Sequence, residues 1–365
     1  MGSYRAAVIA CGRRARAFGQ AFRADERVRL AACADVSTEA LAAYGEEFGV
    51  GAEHRYLDYR LMLERERPEI VAIVSQHHLH AEMTIAAARA APRAIICEKP
   101  IALTLPDADA MIAACREAGT TLIIAHQRRF DPQNLAAREL ITRGAIGEIS
   151  LIEAHGHPHT SLLVDGTHTV DLISYFLDDE PVDWVVGQID ASQPRQLWGH
   201  TVENLATAWF KYRRGTRVLL TCGGVTRGDT VETLQPRFEA NYQQILIQGT
   251  TGRIEIDGDA PWQDRPIVRL VRDGRSEAVP LPFPIEGDAS HRPASARQVE
   301  LLLDYLDGKR ADHPLEARRA RATLEVLIAV MESARRRGVV QLPIAVEDYP
   351  LQTMLDAGEL MSTAK

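Results

Sequence analysis

Ile95-Ile96-Cys97-Glu98-Lys99-Pro100 is the stretch from which the rest of this chain is read. Two apolar β-formers and a cysteine run straight into Glu-Lys-Pro, with helix-like segments before it (81–91) and after it (106–118). A short apolar run between helices is the pattern of a buried parallel strand, and open α/β sheets bind ligands beyond the carboxyl ends of such strands. The charged pair therefore falls at a ligand-binding edge. Pro100 fixes its own φ and holds Lys99 extended, which ends the strand. Of 42 Lys and Arg residues only four are lysines, at 99, 211, 309 and 365. In so arginine-rich a chain, a lysine here can supply what a guanidinium cannot, a proton that comes and goes. The alternative is a strand-end ion pair of Glu98 with Lys99.

Working back, residues 4–10 form an apolar strand, and Cys11-Gly12-Arg13-Arg14-Ala15 turns it into a helix reaching 23. A second strand over 27–34 ends at Asp35, and Ser37 caps a helix over 38–48. Strand, glycine turn, helix, strand and acid is the layout of a dinucleotide-binding βαβ unit. The fingerprint G-x-G-x-x-G/A reads Ala10, Gly12 and Ala15, so the first glycine is lost while the one under the pyrophosphate is kept. Gly12, Arg13 and Arg14 are the expected phosphate-side contacts at a helix N-terminus. A carboxylate at Asp35 accepts from the adenosine ribose hydroxyls and repels a 2′-phosphate, which predicts NAD over NADP.

Residues 70–74 form the next buried strand, ending in Ser75-Gln76-His77-His78-Leu79-His80. These histidines lack a carboxylate or thiolate at ligand spacing, so no metal site is expected. The loop reads instead as a cofactor-side edge, with Ser75, Gln76, His77 and His80 joined by Glu98, Lys99 and Gln127. A further strand, 121–125, runs into His126-Gln127-Arg128-Arg129-Phe130, where Arg128 is a candidate substrate contact. Strands alternating with helices give a parallel sheet with right-handed crossovers over 1–125.

From 126 onward the pattern changes. A helix over 133–143 leads to strands over 149–155, 202–212, 217–222, 242–248 and 253–257, with hairpin turns at Arg213-Arg214-Gly215 and Gly249-Thr250-Thr251-Gly252. Residues 258–293 read as loop with short strands, and helices over 293–306 and 315–337 follow. The fold class expected is an N-terminal α/β Rossmann domain (1–125) followed by an α+β domain with an open, mostly antiparallel sheet (126–365).

At 365 residues, 46% hydrophobic and 25% charged, the chain has the makeup of a soluble two-domain protein. A net charge of −8 argues against nucleic acid as a partner, and no apolar run is long enough for a membrane span. Five cysteines without a C-x-x-C pair read as reduced thiols of a cytoplasmic protein.

Two stretches of the second domain bear chemistry. One is Ala154-His155-Gly156-His157-Pro158-His159, at a strand end. The other is Asp165-Gly166-Thr167-His168-Thr169-Val170-Asp171-Leu172, where a loop becomes a helix. His168 and Asp171, three apart, share a helix face. A histidine between carboxylates is a candidate general base, its ring oriented by an acid neighbour. The alternative is a helix N-terminus capped by Asp165 or Thr167, with His168 a satisfied polar residue.

Glu98-Lys99-Pro100 after a buried strand, with a later G-x-H-x-x-D-L over Gly166 to Leu172, resembles the glucose–fructose oxidoreductase and inositol dehydrogenase (Gfo/Idh/MocA) family across essentially the whole chain. The resemblance implies a Rossmann domain, an open sheet domain, a nicotinamide cofactor, a sugar, cyclitol or related polyol substrate, and a homo-oligomer packed through the sheet face. It implies that Lys99 stands at the reacting hydroxyl and His168 is the acid/base, while Asp171, His155 and His157 meet substrate hydroxyls. The family acid four residues before the histidine is Val164 here, so Asp165, one residue late, takes its place among the catalytic candidates. Ala10, and Ser75-Gln76-His77 where the family often has Thr-Pro-Asn, depart from the pattern. The function expected is an NAD-dependent oxidoreductase interconverting a secondary alcohol and a ketone. The rival functions are a redox-neutral, NAD-dependent glycoside-cleaving enzyme and a non-catalytic NAD-binding regulatory protein.

Overall fold

The computed structural model describes residues 3–157, 159–227, 230–232, 243–258, 265–285 and 291–360. The chain forms two compact units, Met1–Phe130 with Asp288–Arg321, and Asp131–Gly287 with Ala322–Lys365.

In the first unit six parallel strands stand in the order β3-β2-β1-β4-β5-β6, the doubly wound order of dinucleotide-binding sheets. They are β1 (Tyr4–Ile9), β2 (Val28–Ala34), β3 (Arg55–Tyr56), β4 (Ile70–Ile73), β5 (Ala94–Cys97) and β6 (Thr121–Ile124). Every residue of β4 and β5 is buried, as the unbroken apolar runs require of strands covered on both faces. Five helices make the crossovers: α1 (Ala15–Arg23), α2 (Thr38–Phe48), α3 (Tyr59–Glu66), α4 (His80–Arg89) and α5 (Leu105–Glu117). Ser37 caps α2 by accepting the Ala40 N–H at 3.2 Å, and Asp58 caps α3, which ends at Glu66 before Pro68. The two-residue β3 has no periodicity from which sequence alone could find it.

The first unit also takes back a later helix, α8 (His291–Leu306), which packs along α1. Val299, Leu302 and Leu303 are fully buried in the core that holds Phe18 and Phe22. Each such side chain contributes about 1.5–3 kcal/mol when taken from water, which is what draws the chain back. From sequence everything after 125 reads as one later domain. Helix periodicity shows that α8 has an apolar face but not which core receives it.

The second unit is built on a nine-stranded sheet in the order β18-β17-β16-β15-β7-β12-β11-β8-β19. Its strands are β7 (Ile149–His155), β8 (Val182–Asp190), β11 (Leu205–Tyr212), β12 (Arg217–Gly223), β15 (Gln244–Gly249), β16 (Arg253–Asp257), β17 (Val268–Arg272), β18 (Arg275–Ala278) and β19 (Val340–Gln341). All neighbours are antiparallel except β7 and β12. The hairpins at 213–215 and 249–252 join β11 to β12 and β15 to β16 as expected. A separate hairpin, β9 (Arg195–Leu197) with β10 (His200–Val202), precedes β11, and β13 (Val225–Arg227) pairs with β14 (Thr230–Glu232). Among the described residues the remaining α-helices are α6 (Pro132–Thr142), α7 (Thr167–Phe176), α9 (Ala317–Arg336) and α10 (Pro350–Asp356).

Several strands of this unit were not legible, β8 the longest of them. β8, nine residues long, has no strict apolar alternation, because Trp184 and Val186 on its open side are apolar as well. β17 and β18 are short strands within the stretch that reads as loop with short strands, where sequence pattern sets no bounds for them, and β18 is exposed throughout. Tyr242, the expected start of the fourth strand, lies outside the described residues, as do Pro158 and residues 259–264 and 286–290 of the 258–293 loop. Among the described residues no helix is long and apolar enough to cross a membrane.

Candidate active site

The first unit gathers its candidates at one edge of the sheet. Gly12, Arg13 and Arg14 follow β1, Asp35 follows β2, and Ser75 to His80 follow β4. Glu98 and Lys99 follow β5, and Gln127 follows β6. Ala10 adopts φ +70°, the left-handed conformation for which the missing glycine is ordinarily required. The turn survives because its neighbours hold it: Ala10 N–H donates to the Ala34 carbonyl at 2.8 Å, and Cys11 N–H to Asp35 Oδ2 at 2.6 Å. Asp35 Oδ1 accepts the Ser37 N–H at 2.8 Å, so its carboxylate is aimed from both sides and keeps lone pairs for a ligand. An added Cβ at exposed Gly12 would meet nothing within 4 Å. That open approach at the entry to α1 fits a pyrophosphate on a helix N-terminus.

Arg14 ties this turn to the strand end that bears Glu98 and Lys99. Its Nε lies 2.6 Å from Oε1 of buried Glu98. With the Gln127 amide oriented to satisfy its neighbours, Gln127 Oε1 accepts from Arg14 Nη2 at 2.9 Å and its Nε2 donates to the Ala125 carbonyl. Glu98 thus pairs with Arg14, and its second oxygen accepts the backbone N–H of Lys99 at 3.3 Å. The Lys99–Pro100 peptide is cis and Lys99 is half-buried. Fully buried His80 packs beneath, with Nδ1 2.8 Å from the Pro100 carbonyl and Nε2 3.2 Å from that of Ser75. Burial holds its pKa below the usual histidine value against the pull of those carbonyls. The ring spans the two carbonyls and so fastens the β4 loop to the Lys-Pro turn. His77 is buried and stacks near His80, their rings 5.6 Å apart, while Gln76 is exposed and Ser75 half-buried. Arg128 is buried in the short turn Gln127–Phe130. Among the described residues no group of His, Cys, Asp and Glu has the arrangement of a metal site.

In the second unit His168 and Asp171 both lie in the first half of α7 and are buried. The helix is entered through a π-turn, Leu162–Gly166, in which Gly166 N–H reaches back five residues to the Ser161 carbonyl at 3.1 Å. The Ser161 hydroxyl, not Asp165 or Thr167, caps that turn by accepting the Val164 N–H. Asp165 instead accepts the Thr160 hydroxyl at 2.6 Å. Wide turns of this kind recur at functional sites. Here the turn holds Val164 and Asp165. His157 stacks near His159, ring centroids 5.2 Å apart. His155 stands on the open face of the sheet in a small cleft with Glu153, Gln244, Glu255, Asp257 and Arg269. Sequence reasoning did not find Glu203 and Arg195, which hold the backbone of residues 159–162. They are more than 30 residues from that segment and carry no local signal.

A six-stranded sheet in this order, with an anchored acid after β2 and a lysine after β5, defines a dinucleotide-dependent oxidoreductase. Two models of one family match the chain. An oxidoreductase family with an NAD-binding Rossmann fold covers residues 4–126, and the GFO/IDH/MocA C-terminal domain covers residues 134–255. The chain belongs to the Gfo/Idh/MocA family, and the cofactor of its Rossmann domain is NAD. A D-apiose dehydrogenase of Paraburkholderia graminis is 26% identical over 97% of this chain and 94% of that protein. A myo-inositol 2-dehydrogenase of Thermotoga maritima is 31% identical over 40% of this chain and 42% of that protein. An oxidoreductase from Agrobacterium radiobacter, solved with NAD+, L-tartaric acid and magnesium, matches the fold with a TM-score of 0.75 at 20% identity, over 93% of this chain and 98% of that one.

Proposed function

We propose that the protein is an NAD-dependent dehydrogenase interconverting a secondary hydroxyl and a ketone on a sugar, cyclitol or related polyol. The observation that carries this reading is the half-buried Lys99, set by Glu98 at the carboxyl edge of a sheet whose β2 acid is already aimed. The dehydrogenases of apiose and myo-inositol named above support the substrate class.

Gly12 and the first turn of α1, with Arg13 and Arg14 beside them, would hold the pyrophosphate, and Asp35 the adenosine ribose. Ser75, Gln76, His77, His80 and Gln127 would line the rest of the dinucleotide. When bound, the nicotinamide supplies the hydride acceptor. Lys99 hydrogen-bonds the substrate oxygen as negative charge gathers on it, and His168 takes the hydroxyl proton. Asp165 assists as the acid nearest in sequence. Asp171, His155, His157 and Arg128 meet the remaining hydroxyls.

The test is NADH absorbance with purified protein against a panel of free sugars, cyclitols and glycosides. NADH formation with one ring class is expected, and Lys99→Met lowers turnover by about 10²–10⁴-fold without weakening NAD binding. Glycoside cleavage without net NADH would place the chain in the redox-neutral class. NAD binding with no turnover of any ring would leave a regulatory protein.

We also propose a homo-oligomer packed through the open face of the nine-stranded sheet. Trp209, 48% exposed, lies between Val186 and Leu219, each 40% exposed, on neighbouring strands. Such a contiguous apolar row is unusual on a monomer. Trp209→Glu should lower the mass measured by light scattering. A cytoplasmic location is supported by five free cysteines, all buried.

A further inference from the structure

Behind the turn that carries Asp165 and leads into the helix of His168, the second unit buries polar groups that the proposed proton chemistry does not use. Glu203, between β10 and β11, is 0% exposed. One carboxyl oxygen accepts the N–H of Leu162, the first residue of the π-turn. The other is buried with no hydrogen-bond partner among the described residues. From the same hairpin, Arg195 donates to the His159 carbonyl at 3.2 Å and to the Thr160 carbonyl at 2.7 Å. Two side chains thus grip three backbone sites, on residues 159, 160 and 162, of the segment entering α7. That grip passes on through Thr160, whose hydroxyl is held by Asp165 at 2.6 Å. The hairpin is itself braced from its far side. Tyr349 donates to the Thr201 carbonyl at 3.0 Å, and the Thr201 hydroxyl to Gln352 at 2.8 Å. Cys222 fills the space under the segment: a Cβ on Gly156 or Gly166 would lie 3.0 or 3.2 Å from its sulfur.

A helix start leaves its first N–H groups without an intrahelical acceptor, and a π-turn, with its wider bore, is rare without outside support. Leu162 is fully buried, so water cannot serve its N–H. A carboxyl from the link between β10 and β11 takes that place, at a cost no surface cap would carry, since the group is removed from water altogether. Stability alone is served as well by an α-helical entry with a local cap. The buried carboxyl is explained by the particular turn it enforces.

We propose that Glu203, with Arg195, is a positioning residue for the reaction: the pair fixes the π-turn that aims His168 and Asp165. This rests on His168 being the base. Burial keeps the Glu203 carboxyl above the usual carboxylate range, with the Leu162 N–H opposing it. The Leu162 N–H requires an acceptor at this place, and a glutamine carbonyl supplies one.

The experiment compares Glu203→Gln, Glu203→Met and Arg195→Met with the parent enzyme, using NAD and the ring substrate that gives the fastest NADH formation in the panel. It measures kcat, the NAD Kd and amide exchange over 159–168. Glu203→Met should lower kcat at least tenfold, leave the NAD Kd within twofold, and speed exchange over 159–166. Glu203→Gln should keep kcat within threefold and exchange at the parent rate. Unchanged kcat in Glu203→Met, or equal loss in Glu203→Gln, overturns the proposal. Should Glu203→Met fail to fold, Arg195→Met carries the test: faster exchange with a lower kcat upholds the clamp, and parent values for both overturn it. Full turnover in His168→Asn is a separate outcome. It would remove the base assignment, while exchange at Leu162 still reads the clamp.

Discussion

Arg14 Nε sits 2.6 Å from Glu98 Oε1, joining the turn after β1 to the strand end that delivers Lys99. The carboxylate beside the candidate catalytic lysine is therefore paired with an arginine of the cofactor turn. Its backbone contact to Lys99 orients the lysine rather than neutralising it. The strand-end ion pair of Glu98 with Lys99, read from sequence as the alternative, gives way to a longer-range pair because Arg14 comes from a different strand end.

Arg14→Met should accordingly weaken NAD binding and lower kcat together, by about tenfold each, because charge-assisted bonds to a buried carboxylate contribute about 1.5–3 kcal/mol and Arg14 is partly screened by water. A double-mutant cycle with Glu98→Gln checks it. Additive losses would show that the two groups act independently.

Ala10 at φ +70° should be a point of relievable strain. An L-residue there costs about 1–2 kcal/mol, and glycine returns about 0.5–1 kcal/mol of that in unfolded-state entropy. Ala10→Gly is expected to stabilise by about 0.5–1 kcal/mol in urea unfolding and to leave NAD affinity equal or better. Destabilisation would mean that the alanine methyl packs usefully in the turn.

Asp35 anchors the turn after β1 and is proposed to select NAD, and its replacement should show both. Asp35→Ser removes the repulsion of a 2′-phosphate, so the NAD-to-NADP ratio of kcat/KM should fall by about tenfold or more. It also frees the Cys11 and Ser37 N–H groups, so affinity for NAD itself should drop. Unchanged selectivity, measured by steady-state kinetics with each cofactor, would move the selector elsewhere.

His313 predicts an acid limit to stability. It is fully buried, accepts the Leu315 N–H at 3.0 Å on Nδ1 and donates to the Gln298 carbonyl at 3.3 Å. Burial lowers its pKa to about 4. Unfolded, it takes a proton below about 6.5. Between those values the unfolded chain binds more protons than the folded one, so stability falls as the pH falls through this window, by up to about 3 kcal/mol from this group. Buried His80, also lowered, acts in the same direction. Urea unfolding at pH 7 and pH 4.5 checks this: His313→Asn should flatten the slope between them.

Sequence alone determined what local pattern and composition can encode. The βαβ order, the buried strand ending in Glu98-Lys99-Pro100, the acid after β2, and the helix bearing His168 and Asp171 all follow from period, punctuation and residue type, because each is set within about a dozen residues. Only the tertiary structure decided the rest. The return of α8 to the first core, the left-handed turn held at Ala10 by Asp35, and the pairing of Arg14 with Glu98 join residues far apart in the chain. So does the grip of Arg195 and Glu203 on residues 159–162. Such contacts depend on which strands lie side by side, and no local propensity records that.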